Sequence, residues 1–573
     1  MITRPPAPRY ASWVADLSVF ILLAAVLYGL VRVARHWQAP LQPQVEIDLS
    51  LWALPGYTLL SLLRGIAAYG LSLGFALTYG YLAAHRPRAE RILLPLLDIL
   101  QSIPVLGFLP GLILALVALF PKTNVGLELA CILMIFTGQV WNMAFSFYQS
   151  LRSIPSELRE AAQVYQFNWW QRFRRVELPA SAMSLAWNSM MSMAGGWFFL
   201  MVCEAFTLGS HDFRLPGLGA YMSEAIAHRH VPAILAGITA MVLMIVLVDT
   251  FLWRPVLVWV QKFRMEDTAA TEVRESVVLS WLRRSSLAHT AMTRLAHPIS
   301  EWLATQAIPR QESSVQRPGR RLAFSPVRFL NGLAACAAGV TVVWAAWRLA
   351  HLLVYLPFSE WVQVLGGAAL TFLRVSVAVV LGSLWTVPVG IWIGQSRRRC
   401  GRLQPVVQVA ASFPAPMLYP IIILALSNLG WNLGVSSVVL MLLGTQWYLL
   451  FNVIAGASAV PEDFREVAQA YHFTPAQRWR MVWWPAVFPY LVTGWVTAAG
   501  GAWNASIVAE YVSLRPQQVF VTHGLGSLIS AAASRGHYDL LAAGVLTMAV
   551  VVVLINRYLW KPLYRLAETR FAY

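Results

Sequence analysis

The sequence predicts an all-α polytopic membrane protein of about 12 transmembrane helices, arranged as two parallel six-helix repeats. Three observations predict it. First, the 573 residues are 58% hydrophobic and only 12% charged, with a mean hydropathy of +0.59. That is the composition of a membrane chain. Second, a polar, Arg-bearing island at about 150–180 recurs at a constant offset of 306, from Glu160 to Glu466, Tyr165 to Tyr471 and Pro179 to Pro485. Third, basic residues gather between alternate apolar runs. Cytoplasmic flanks of membrane helices collect Arg and Lys.

The elements follow in order. Residues 1–56 are a basic, Pro-rich start and a first span at Trp13–Val31. This run ends in Arg32 and Arg35, not in a small-residue cleavage pattern, so it reads as a retained helix. Further runs lie at about Tyr57–Ala84, Ile92–Phe120, Leu127–Tyr148, Ala182–Leu208 and Val231–Leu252. A bilayer core needs roughly 20 apolar residues. The second half repeats them: Phe329–Trp347 (within 328–360), then Trp361–Ile393, Val406–Leu426, Gly434–Ile454, Ala486–Leu514 and Tyr538–Leu559. Units 57–260 and 361–573 are thus equivalent, joined by a polar linker at 261–327 that reads as a cytoplasmic tether with interfacial helices. An even number of spans per half makes the repeats parallel. Both islands and both termini then face the cytoplasm, while Arg32, Arg35 and Arg348 fall on the outer side, against that trend.

Each island reads as two short helices. Pro155 and Pro461 suit a first helical turn. Asn168 and Thr474 read as N-caps, each with Gln three residues on. The break between helices falls at Gln166-Phe167 and His472-Phe473. Other pairs keep the repeat, including Arg64 with Arg374, Pro104 with Pro414, Glu204 with Glu510, and Gly217-Leu218-Gly219 with Gly524-Leu525-Gly526.

The composition also excludes functions. The net charge of +17 lies mostly between apolar runs, so it points to membrane topology and no nucleic-acid partner. Four scattered cysteines and the His and Cys spacings give no metal site. The three lysines, Lys122, Lys262 and Lys561, do not follow Gly, so the chain has no Gly-Lys-Ser/Thr phosphate loop. If ATP drives the process, another subunit binds it.

The islands resemble the EAA loop of bacterial ATP-binding-cassette importer permeases. Glu160-Ala161-Ala162 and Val176-Glu177-Leu178-Pro179 fit its pattern. Glu466-Val467-Ala468 and Val482-Trp483-Trp484-Pro485 fit more loosely, and Gln166 and His472 stand where the family has Gly. Cys203-Glu204-Ala205 followed by Gly217-Leu218-Gly219, and Ala509-Glu510-Tyr511 followed by Gly524-Leu525-Gly526, resemble the nitrate/sulfonate/taurine type. The resemblance implies a type I importer permease of the bacterial inner membrane, with two such units fused. It is not itself an enzyme and has no cofactor of its own. Two ATPase subunits carrying ATP and Mg would dock at Glu160, Ala161, Ala162, Gln166, Leu178 and Pro179, and at Glu466, Val467, Ala468, His472, Trp484 and Pro485. A binding protein would stand outside.

Candidates for the translocation path are Glu204, Glu510, Trp197, Trp503, Asn504, Pro104 and Pro414. An intramembrane carboxylate is costly and needs a partner or an aqueous cavity. Glu204 and Glu510 read either as path or gate residues or as hydrogen-bond acceptors for the Gly-Leu-Gly segments. The prolines read either as pathway breaks or as simple kinks. Arg64 and Arg374 read equally as structural or anion-binding. The alternative function is an ion-driven secondary transporter with six plus six parallel helices.

Overall fold

A computed structural model describes residues 46–102, 105–208, 211–263, 339–340, 343–344, 346–460, 462–515 and 518–570. The expected first span, most of Phe329–Trp347, Pro104, Pro461 and nearly all of the 261–327 linker lie outside these residues.

The first half runs α1 (Leu54–His85), α2 (Pro87–Ser102), α3 (Leu109–Leu119), α4 (Val125–Arg152), α5 (Ser156–Val164), α6 (Trp169–Arg172) and α7 (Leu178–Glu204). A hairpin of β1 (Ala205–Leu208) and β2 (His211–Arg214) follows, then α8 (Leu218–Ala227), α9 (Val231–Val248) and α10 (Arg254–Val260). The second half repeats this as α11 (Phe358–Gly394), α12 (Arg397–Ser412), α13 (Tyr419–Asn428), α14 (Leu433–Ser458), α15 (Glu462–Ala470), α16 (Pro475–Arg478) and α17 (Trp484–Ala509). It ends with β3 (Tyr511–Arg515), β4 (Gln518–Val521), α18 (Leu525–Arg535), α19 (Tyr538–Ile555) and α20 (Lys561–Arg570). Both hairpins are antiparallel.

Six helices among the described residues are long and apolar enough to cross a membrane: Leu54–His85, Val125–Arg152, Val231–Phe263, Phe358–Gly394, Leu433–Ser458 and Tyr538–Ala567. The others differ from the expectation in instructive ways. The third span of each half is not one helix. α2 gives way to a 3-10 turn at Val105–Gly107 before α3, and α12 to one at Ala415–Met417 before α13. Proline removes a backbone donor and clashes with the preceding turn, and Pro414 and Pro416 stand at the second of these breaks. The fifth spans stop at Glu204 and Ala509, short of the expected Leu208 and Leu514, because the apolar residues that follow turn into the hairpins. β-branched and aromatic residues such as Val512, Val519 and Phe520 suit a strand as well as a helix.

The core of each half is a triplet of helices, α1–α4–α7 and α11–α14–α17. Close approach at one equivalent glycine pins the first contact. A Cβ on Gly80 would meet Phe147 at 2.8 Å, and one on Gly390 would meet Val453 at 2.6 Å. Small residues let membrane helices pack backbone to backbone. α7 and α17 hold polar residues such as Ser189, Ser192 and Thr497 because protein, not lipid, surrounds them.

The halves dock reciprocally. α2 packs against α19, and α12 against α9. The Val105–Gly107 turn leans on α17, and the Ala415–Met417 turn on α7. Across this seam the Val105 N–H donates to Asn504 Oδ1 at 2.7 Å. Equivalent elements exchanging equivalent contacts is what two parallel repeats produce around a pseudo-two-fold axis.

Candidate functional site

Three features of the bundle bear on function: the islands at one end, a cavity between the halves, and two buried ion clusters beside the hairpins.

Each island is built by local chemistry. Helices α5 and α15 end in Schellman motifs. Phe167 N–H donates to Ala162 O and Gln166 N–H to Gln163 O, both at 2.9 Å. Phe473 and His472 repeat these bonds to Ala468 and Gln469 at 3.0 Å. The motif requires a left-handed residue at its turn, and Gln166 and His472 both adopt φ 50°. The turn that glycine makes easily is thus made here without glycine. The next helices open with full capping boxes, Asn168 with Gln171 and Thr474 with Gln477, as the sequence predicts. Arg159 and Arg465, whose roles the sequence reading missed, tie the islands to the ends of the long helices. Arg159 donates to Leu151 O and Arg152 O, and Arg465 to Ala457 O and Gln395 O.

The Glu-Ala-Ala and Glu-Val-Ala triplets divide between two faces. Glu160, Ala161, Glu466 and Val467 are exposed, whereas Ala162 and Ala468 are buried against the bundle. Tyr165 and Tyr471 stand 73% and 75% exposed at the same turn. Leu178 with Pro179 and Trp484 with Pro485 start α7 and α17. Before each pair the helix widens into a π-turn, Phe173–Glu177 and Trp479–Trp483. Two more precede Pro255 and Pro562, at Asp249–Trp253 and Asn556–Trp560. One cause serves all four. The ring of a proline clashes with the carbonyl four residues back, and the extra residue relieves it. Glu177, buried beneath the first island, pairs with His85 and Arg172 at 2.8 Å.

The cavity between the halves has a volume of about 230 Å³. Equivalent aromatic residues, Trp141 and Trp447, face it from α4 and α14. Pro414, Trp503 and Asn504 also line it. Trp197 does not. It is 3% exposed and covers Gly65 of α1. None of the described lining residues is charged.

Glu204 and Glu510 are not on this cavity's wall. Each is fully buried and saturated with bonds. Glu204 accepts from Arg64 Nη1 at 2.7 Å, Ser61 Oγ at 2.6 Å and Gly219 N–H at 2.7 Å. Glu510 accepts from Arg374 Nη1 at 2.7 Å, Thr371 Oγ1 at 2.8 Å and Gly526 N–H at 2.9 Å. Gly217 and Gly524 lie so close that a Cβ on either would strike the carboxylate. Arg64 has a second partner that sequence reasoning missed: it grips Glu128 with two bonds, of 2.6 and 2.7 Å.

With the two reciprocal units in view, comparison with known sequences is decisive for the family. The pattern of the family described as "Binding-protein-dependent transport system inner membrane component" matches residues 76–253 and again 386–559. The chain belongs to this family. Among its relatives, a nitrate import permease protein of Synechocystis sp. is 28% identical over 24% of this chain and 48% of its own length. A putative aliphatic sulfonates transport permease protein of Bacillus subtilis is 28% identical over 36% of this chain and 70% of its own length. A taurine transport system permease protein of Escherichia coli is 25% identical over 33% and 64%. The chain thus spans about half the length of the nitrate relative. The matched segments contain both islands, both buried Glu residues and every lining residue of the cavity except Trp560, but not the N-terminal parts of α1 and α11 that carry Arg64 and Arg374.

Proposed function

We propose that this chain is the complete membrane permease of an ATP-binding-cassette importer in a bacterial inner membrane, with both termini cytoplasmic. One observation carries the reading. Two islands with the same helix, the same left-handed turn and the same exposed Glu and Tyr stand at equivalent places on two halves that share one cavity. Exposed aromatic residues on an otherwise polar loop mark a docking surface. Each island docks one ATPase subunit, which holds the ATP and Mg, and a binding protein delivers solute at the opposite end. When the ATPases close, the islands transmit the motion through α7 and α17. These helices rock the halves so that the cavity opens alternately to the two sides. A ligand biases such an equilibrium only through its different affinity for the two states.

The left-handed turns keep α5 and α15 at a fixed angle to the helices they drive. Arg159 and Arg465 bond the same islands to the ends of α4 and α14. Force applied at Glu160 or Glu466 therefore reaches two core helices at once. An ion-driven transporter would need titratable groups on the cavity wall, and the described wall carries no charge.

Purification of the tagged chain from its native membrane, with mass spectrometry of what accompanies it, tests the assembly. A phosphate-loop ATPase is expected. Its absence across several mild detergents counts against the reading. Glu160→Lys combined with Glu466→Lys should leave a folded protein whose uptake no longer follows ATP, and normal uptake by that double variant would sink the coupling role.

A further inference from the structure

The two islands are tied to the long helices by different chemistry. In the second half one permanent cation holds two of them. Arg465 Nη2 donates to Ala457 O at the end of α14, and its Nη1 donates to Gln395 O just past α11. Its guanidinium also covers the ring of Trp483. Arg159 is the equivalent residue of the first half, and both of its bonds go to the end of α4, at Leu151 O and Arg152 O. The polar link from the first island to α1 falls instead to His85, the last residue of that helix. His85 Nε2 lies 2.8 Å from Glu177 Oε1, at the end of the π-turn. Arg172 adds a longer contact, 3.4 Å from its Nη2 to the Tyr81 hydroxyl. By the offsets of 310 and 306 the second half holds Gln395 and Trp483 where the first holds His85 and Glu177.

The surroundings of His85 select its charge state. Its Nδ1 lies 2.9 Å from Tyr81 O, one turn back on α1. A carbonyl oxygen and a carboxylate oxygen both accept and neither donates. A ring that meets both donates from both nitrogens, and only the imidazolium does so. The groups facing the ring are Tyr81 from α1, Arg172 from α6 and Glu177 from the π-turn. Tyr81 stacks on it with ring centroids 4.0 Å apart, and an aromatic face attracts a cation. Arg172 reaches the same Glu177 oxygen at 2.8 Å. One carboxylate thus serves two cations, and His85 is the one of them that can lose its charge. Its side chain is 26% exposed, so its proton exchanges with water.

Resting on the permease reading above, we propose that His85 is a protonation-dependent positioning residue for the first coupling island. As imidazolium it donates to both Tyr81 O and Glu177 and ties the π-turn to α1. When it loses its proton one of these bonds goes, because the neutral ring has a single donor. The anchor is complete at acid pH and weakens as pH rises through the titration of the ring. Arg465 keeps its charge throughout, so the second island does not follow. One of the two levers of the pore is thereby set by the proton concentration on the side where the islands lie, and the other is not.

The test is hydrogen–deuterium exchange of the purified full chain in lipid nanodiscs, at about pH 6 and about pH 8, either side of the imidazole range. The readout is the protection of residues 156–177 divided by that of residues 462–483, so that the pH dependence of chemical exchange cancels. Between the lower and the higher pH the ratio should fall roughly threefold to tenfold, the worth of one hydrogen bond. His85→Gln, which copies Gln395, should give a low ratio at both. His85→Arg, a cation at both, should keep the ratio high at the higher pH, a rescue that a packing role alone would not produce. His472 lies in the reference segment, titrates in all three chains and cancels between them. A wild-type ratio that does not change, or an equal fall in His85→Gln, overturns the proposal. If His85→Gln does not fold, His85→Arg is the flat comparison, and a fall there equal to the wild type overturns it too. The experiment contains no ATPase, so its failure is distinct from failure of the coupling reading.

Discussion

The two buried ion clusters occupy the same place in the two halves, yet they carry different charge. Arg64 is 4% exposed and held between two carboxylates, Glu128 and Glu204, with a further bond to Pro216 O at 2.9 Å. Arg374 is 13% exposed and meets one carboxylate, Glu510. Its remaining bonds go to His523 O at 2.7 Å and Thr522 Oγ1 at 3.0 Å. The 306-residue offset puts Gly434 where Glu128 stands, and a Cβ there would lie 3.6 Å from Arg374 Nη2. What both halves retain is Ser or Thr, Arg, Glu and the Gly-Leu-Gly N–H group. These clamp the end of α7 or α17 to α1 or α11 and to the helix that follows the hairpin. The shared set makes the fold, and Glu128 is an addition to it.

Five variants break or sharpen this comparison. Arg64→Met leaves two buried carboxylates without their cation and should cost about 3–5 kcal/mol, the usual penalty for breaking a buried pair. Arg374→Met should cost less, because it strands one carboxylate at a more open site. Thermal unfolding in nanodiscs reads both, and equal losses would mean that Glu128 contributes nothing to the difference. Glu128→Gln makes the first cluster resemble the second in charge and should cost about 1–3 kcal/mol, the loss of a charge-assisted partner. A neutral result would show that Arg64 needs only Glu204. The smallest effect is expected at the islands, where the halves agree. Gln166→Gly and His472→Gly should each stabilise by less than about 1 kcal/mol, by relieving the left-handed penalty. Their shared φ of 50° predicts equal gains, and an unequal pair in the same unfolding assay would show that one turn is strained and the other is not.

Much of this was legible in the sequence, and what was legible was local or periodic. Apolar runs gave the spans, the constant offset gave the repeat, and Asn168-x-x-Gln171 and Thr474-x-x-Gln477 gave the capping boxes. What stayed hidden depended on partners far along the chain. Arg64 and Glu128 are 64 residues apart, and no spacing rule joins them. The first hairpin was hidden because Ala205–Leu208 continues an apolar helix in composition, and only its pairing with His211–Arg214 shows the strand. The breaks at Gln166 and His472 were legible, but their left-handed conformation was not, because a side chain stands at each where glycine would have announced it. Hydrogen bonds to Ala162 and Ala468 impose it. The place of Trp197 was not legible because an aromatic residue late in a membrane helix serves packing or a cavity, and Gly65 opposite it shows the packing.

The carboxylate that faces Arg64 but has no counterpart at Gly434 also bears on descent. A pore assembled from two copies of one gene product must accept every substitution twice, on both sides of its axis. With both units in one reading frame, a mutation lands on a single side. Half the pore can then change while the other half preserves the original arrangement.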